Sequence, residues 1–92
     1  MTKLFELGQV IGTPAAIKAR TLCRDDPQVY LDRHLAGDWG DIPSDHCKAN
    51  DSSVKNQSGI FSIYLLKDNV TKIWIMTEGD RSVTNILLPV DY

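Results

Sequence analysis

Three runs rich in β-branched and aromatic residues, Ile60 to Leu66, Lys72 to Thr77 and Val83 to Leu88, crowd the C-terminal half of this chain. Asp68-Asn69 and Gly79-Asp80 separate them with turn-forming residues. That pattern predicts a three-stranded antiparallel meander. Strand alternation puts Phe61, Ile63 and Leu65 on one face and Ser62 and Tyr64 on the other, while Ile73 and Ile75 oppose Trp74 and Met76. With apolar residues on both faces, helices should cover one side of the sheet and something else should shield part of the other.

The N-terminal half is punctuated differently. Thr13-Pro14 reads as a helix start, because the threonine oxygen can accept an orphan N–H and proline at the first helical position gives up no needed donor. The helix should run to about Cys23, with Ala15, Ala16, Ala19, Leu22 and Cys23 as its small apolar face. Asp26-Pro27 repeats the signal for a second helix through Val29, Tyr30, Leu31, His34 and Leu35, closed by a left-handed cap at Gly37. Gly37-Asp38-Trp39-Gly40-Asp41 then builds a tight turn shaped around Trp39. Ser44 can cap a third, mostly polar helix from about Asp45 to Val54. The opening segment, Leu4 to Ile11, suits a short strand or irregular chain, and as a strand it would be the fourth of the sheet. The whole is an α+β domain spanning residues 1–92, with two to three short N-terminal helices packed on one sheet face.

Size limits what such a domain can do. A chain of 92 residues buries only roughly two-thirds of its unfolded surface, so a deep cavity would remove core that the fold needs. A binding surface fits better than a pocket. Ten Lys and Arg against twelve Asp and Glu give a net charge of −2, too mild for a general nucleic-acid binder or a DNA mimic. Two cysteines, Cys23 and Cys47, are too few for a disulfide framework, and no charged leader or run of about twenty apolar residues occurs. The expected location is the bacterial cytoplasm, with no membrane contact and both thiols free.

Reactive constellations are sparse. His46 and Cys47 are adjacent, not two to four residues apart as zinc ligands usually are, so a metal site joining them to His34, Asp45 or Cys23 is not expected. Cys23 with His34 is the one nucleophile and base pairing worth naming, and Cys23 lies on an apolar helix face where it acts as a small hydrophobe. The carboxylate pairs Asp38/Asp41 and Glu78/Asp80 are explained by turn formation, the second with a local ion pair to Arg81. No GxGxxG, P-loop or HExxH signature is present, so neither catalysis nor a cofactor is expected.

Two surfaces could meet a partner. Lys18, Arg20, Arg24 and Arg33 gather on the first two helices and could touch nucleic acid, although Asp25, Asp26 and Asp32 dilute them. Between Asp38 and Asp51 stand four aspartates, Asp38, Asp41, Asp45 and Asp51, and one lysine. With Trp39 as an aromatic anchor they could form an acidic face for a basic partner; the alternative is Trp39 in the core with the aspartates solvated.

Leu7-Gly8-Gln9, Thr13-Pro14, Arg33-His34, Gly37-Asp38-Trp39-Gly40-Asp41, Asn50-Asp51, Ile73 to Glu78, Asp80 to Thr84 and Leu87-Leu88-Pro89 together carry a resemblance. Over nearly its whole length the chain resembles a family of short uncharacterised bacterial proteins carried on plasmids, integrative elements and phages. It departs from them at Ser52 to Ser58, which is more polar. In size and habit such proteins are similar to anti-CRISPR proteins. The similarity implies a non-enzymatic inhibitor of a host defence ribonucleoprotein, foremost a type I CRISPR surveillance complex whose target DNA it would block, with the acidic face or the basic helices in contact with protein or guide RNA. The other expectation is a small plasmid or phage regulatory or nucleic-acid-binding domain.

Overall fold

A computed structural model describes residues 3–23 and 26–89, with every side chain in those ranges except those of Arg20 and Cys23. The order of elements is β1 (Gln9–Gly12), α1 (Pro14–Cys23), α2 (Pro27–Leu35), α3 (Ser44–Asn56), β2 (Ile60–Leu65), β3 (Lys72–Thr77) and β4 (Val83–Leu87). The expected α+β class and the antiparallel meander β2-β3-β4 are present. The opening segment adds a fourth strand that pairs parallel with β4, so the sheet is mixed, in the order β1-β4-β3-β2.

Local chemistry sets most helix ends. Thr13 Oγ1 accepts the Ala16 N–H at 3.2 Å. Asp26 accepts the Gln28 N–H at 2.9 Å, and Gly37 turns the chain after α2 at φ +88°. At α3 the cap differs from expectation: Pro43 stands at the N-cap without a side-chain hydrogen bond, and Ser44 is already helical.

The sheet faces follow the alternation. Ile60, Ser62, Tyr64, Ile73, Ile75, Thr77 and Thr84 are buried on the inner face. There Tyr30 and Leu31 of α2 pack with Tyr64, Leu66, Ile73 and Ile75, and Ala19 of α1 packs against the same cluster. A second cluster joins Phe5, Leu35, Trp39 and Ile60, with Ile42, Cys47 and Val54 against it. Ala16 is buried as expected of the small face of α1, but Leu22 is 75% exposed and does not belong to that face. The expected burial of Cys23 falls on a side chain outside the described ones.

The two edges of the sheet differ. Along β2, the Asn50 side-chain amide of α3 donates to the Phe61 carbonyl at 2.7 Å and accepts the Phe61 N–H at 3.2 Å. Ile63 donates to the Trp39 carbonyl and accepts from the Asp41 N–H, closing a parallel bridge to Gly40. Gly40 has φ +76°, and a Cβ there would fall on the Ile63 carbonyl oxygen, so only glycine fits. The β1 edge has no such cover among the described residues.

Candidate functional site

The only described histidine in the core organises a buried polar chain. His34, Ser62, Thr77 and Thr84 are each at most 2% exposed. Ser62 Oγ lies 2.5 Å from His34 Nδ1, Thr77 Oγ1 lies 2.9 Å from Nε2, and Thr77 and Thr84 hydroxyls are 2.9 Å apart. Thr84 Oγ1 ends the chain on the Leu7 carbonyl at 2.7 Å. A carbonyl only accepts, so the direction of every bond is fixed. Thr84 gives its hydrogen to Leu7, Thr77 gives its own to Thr84, His34 donates from Nε2, and Ser62 donates to a bare Nδ1. Burial and the nearby positive charge of Arg81 push the His34 pKa down to about 4, which keeps the ring neutral, as this wiring requires.

Serine beside histidine is the pairing a nucleophilic enzyme uses, yet here both residues are fully buried, and the rings of Phe5 and Trp39 meet His34 edge-on at 5.1 and 5.8 Å between centroids. The Ser62 hydroxyl cannot meet a substrate, so the cluster acts as a lock between α2, the sheet and the segment before β1. Both ring nitrogens are occupied, which removes His34 as a base for Cys23, whose side chain lies outside the described ones. Among the described residues no three His, Cys, Asp or Glu side chains converge on a metal-sized site.

The acidic turn is rebuilt by the structure. Trp39 is 4% exposed, and its Nε1 donates to Asp51 at 3.2 Å, so the indole is core and not the anchor of an exposed face. Asp38 meets Arg33 at 2.7 Å and also accepts the Gly40 N–H. The Arg33 bond holds its carboxyl below the usual carboxylate range and raises the pKa of Arg33 in turn. Tyr64 donates its hydroxyl to the Asp38 carbonyl at 2.6 Å, and the Arg33 guanidinium lies 4.7 Å from the Tyr64 ring centroid. Asp41 pairs with Lys72 at 3.2 Å. Only Asp45 and Asp51 of the four aspartates are without a described cationic partner, and Asp51 already holds Trp39.

The basic helices are likewise reduced. Arg33 is committed to Asp38, Lys18 is exposed, the Arg20 side chain is not among those described, and Arg24 lies outside the described residues. Arg81 makes no described ion pair. It donates instead to the carbonyls of Ser58, Glu78, Gly79 and Ser53 at 2.7 to 3.2 Å and lies over Phe5, tying the β3-β4 turn to the end of α3. Backbone carbonyls thus take the place of the expected carboxylate partner, and Arg81 itself turns at φ +62°.

What remains partly exposed is the outer face of the sheet. Phe61, Ile63 and Leu65 of β2, Trp74 and Met76 of β3, and Asn85 and Leu87 of β4 share it through the strand register. Phe61 and Trp74 meet edge-on at 5.0 Å. Leu65 is 38% exposed, and Phe61, Ile63, Trp74 and Met76 are half-buried. Leu87 on the same face is only 7% exposed, so the face is shielded in part, as the sequence led one to expect. A shallow open depression of about 320 Å³ runs beside Phe61, Met76, Glu78 and Asn85. Alternation identified these residues, but nothing in it said that all three helices would lie on the opposite face or at the β2 edge. The buried chain was missed for another reason: Ser62, Thr77 and Thr84 hold inward positions on three strands, and that recurrence, with a histidine on the facing helix, was its signal.

No described helix is long and apolar enough to cross a membrane. The chain matches no known family model, no curated protein and no solved structure.

Proposed function

We propose that the protein acts by binding a macromolecular partner through the outer face of its sheet, and that it is not an enzyme. The partly exposed stretch of Phe61, Ile63, Leu65 and Met76 carries this reading. Aromatic and methionine side chains on a rigid sheet form an anchor of the kind that dominates protein interfaces, because they bury much area at little entropic cost. Nucleic acid fits less well: Lys72 at the rim is matched by Asp41, Glu78 stands at the other end of the same strand, and net charge is −2.

The resemblance to mobile-element proteins of anti-CRISPR size makes a host defence complex the partner of choice, foremost a type I surveillance complex. The protein would sit on a protein surface beside the DNA channel and exclude target DNA by bulk. It would not do so through the acidic turn, since Arg33 and Lys72 balance Asp38 and Asp41. The test is target-DNA binding by a purified type I surveillance complex with increasing amounts of the protein. Loss of the shifted complex at about one equivalent supports inhibition; undiminished DNA binding at large excess contradicts it.

A further inference from the structure

We infer that the protein forms a symmetric dimer by pairing β1 with β1 of a second copy, edge to edge. The argument starts from which backbone groups β1 leaves open. Gln9 donates to Ser82 and Thr13 donates to Ile86, so residues of odd number in β1 face β4, and Val10 and Gly12 turn their N–H and C=O groups outward. No described residue bonds those groups. Natural sheets usually guard an edge with charge, proline, a bulge or a covering element. Here β2 is guarded at Phe61 by Asn50 and at Ile63 by the Trp39–Asp41 segment, while Gln9–Gly12 carries no charge, and Val10 and Ile11 are 42% and 44% exposed.

The open groups are self-complementary. A two-fold axis at Ile11 sets Val10 opposite Gly12 of the second copy, and Gly12 opposite that copy's Val10. In an antiparallel pair such residues exchange both backbone bonds, so every outward group of β1 finds a partner and none is left over. The side chains agree with this register. Val10 pairs with buried Thr84 and so lies on the inner face, where the residue opposite it would be a glycine with no side chain to oppose it. Beside Gly12 an apolar cavity of about 120 Å³ is lined by Ala16, Ile17, Pro27, Ile73 and Ile86, and Val10 of the second copy would lie at its mouth. On the outer face the two Ile11 side chains would cover each other at a separation of roughly 5 Å. The contact is small, so the dimer should be weak and concentration-dependent.

This inference uses the edge of the sheet and stands apart from the role of its outer face. Sedimentation velocity from micromolar to millimolar protein, with amide exchange followed by NMR, tests it. Val10→Pro removes one outward N–H without touching a bond to β4, and proline is tolerated at a sheet edge. Ile11→Lys places two like charges together at the axis. The wild type should move toward twice the monomer mass as concentration rises, with protection appearing at the Val10 and Gly12 amides. Both variants should stay monomeric with an unchanged thermal midpoint. A wild type that sediments as a monomer throughout, or dimerisation that survives Ile11→Lys, would overturn the inference. If Val10→Pro fails to fold, Ile11→Lys and the two wild-type amides still decide it.

Discussion

The Asn50 side chain does for Phe61 what a neighbouring strand would do, giving its amide N–H to the Phe61 carbonyl and taking the Phe61 N–H on its oxygen. A helix residue thereby ends the sheet. Replacing it with leucine leaves two backbone groups beside a part-buried helix without partners, at a cost of about 1–3 kcal/mol. Denaturant melts of Asn50→Leu should show that loss, and the Phe61 amide should exchange faster than its strand neighbours.

The direction of the buried chain gives a second expectation. Thr84→Val removes the acceptor of the Thr77 hydroxyl and the donor to the Leu7 carbonyl, and should cost about 1–3 kcal/mol although valine fills the same space. In the wild type, nitrogen NMR of His34 should show a protonated Nε2 and a bare Nδ1 at neutral pH. A proton on Nδ1 would break the derived chain at Ser62.

Acid should weaken the fold in a defined window. The pKa of His34 falls from its ordinary 6.5 to about 4 in the folded state, so between these values the unfolded chain binds a proton that the native protein refuses. Stability is therefore complete above about pH 6.5, declines as pH falls toward 4, and loses roughly 3 kcal/mol from this group before levelling. Asp38 and Asp80, both lowered from 3.8, add their losses only at lower pH still. Urea melts across pH 4 to 7 should show the slope in the wild type and a reduced slope in His34→Gln, which will also be less stable at pH 7.

Arg81 joins four carbonyls from two segments with one planar fork, a geometry lysine cannot reproduce. Arg81→Lys should keep the charge and still cost about 1–2 kcal/mol in a thermal or urea melt. An unchanged midpoint would mean that the turn is held by Asp80 and Ser82 alone.

Much of this architecture was legible in the residues. Thr13-Pro14 and Asp26-Pro27 marked the starts of two helices, and alternation within Ile60 to Leu66 and Lys72 to Thr77 sorted the two sheet faces. Partners distant in sequence were not legible. Nothing local to Leu7–Gly12 says that β1 will lie parallel to β4, because that pairing depends on how the intervening helices return the chain. Trp39 could be weighed as core or contact, and only the packing of Phe5, Leu35 and Ile60 around it decides for the core. The aspartates of the turn looked like a charged face because their partners, Arg33 on α2 and Lys72 on β3, come from other elements.

The most direct test of the binding account is recovery of a type I surveillance complex on the tagged protein from cells that express one, compared across surface variants. Leu65→Asp and Trp74→Lys alter the outer face, whereas Asp45→Lys alters the first turn of α3. The account predicts stoichiometric recovery by the wild type and by Asp45→Lys, and loss with Leu65→Asp and Trp74→Lys when both remain folded. Recovery unaffected by the outer-face variants, or no complex on the wild type, would contradict it.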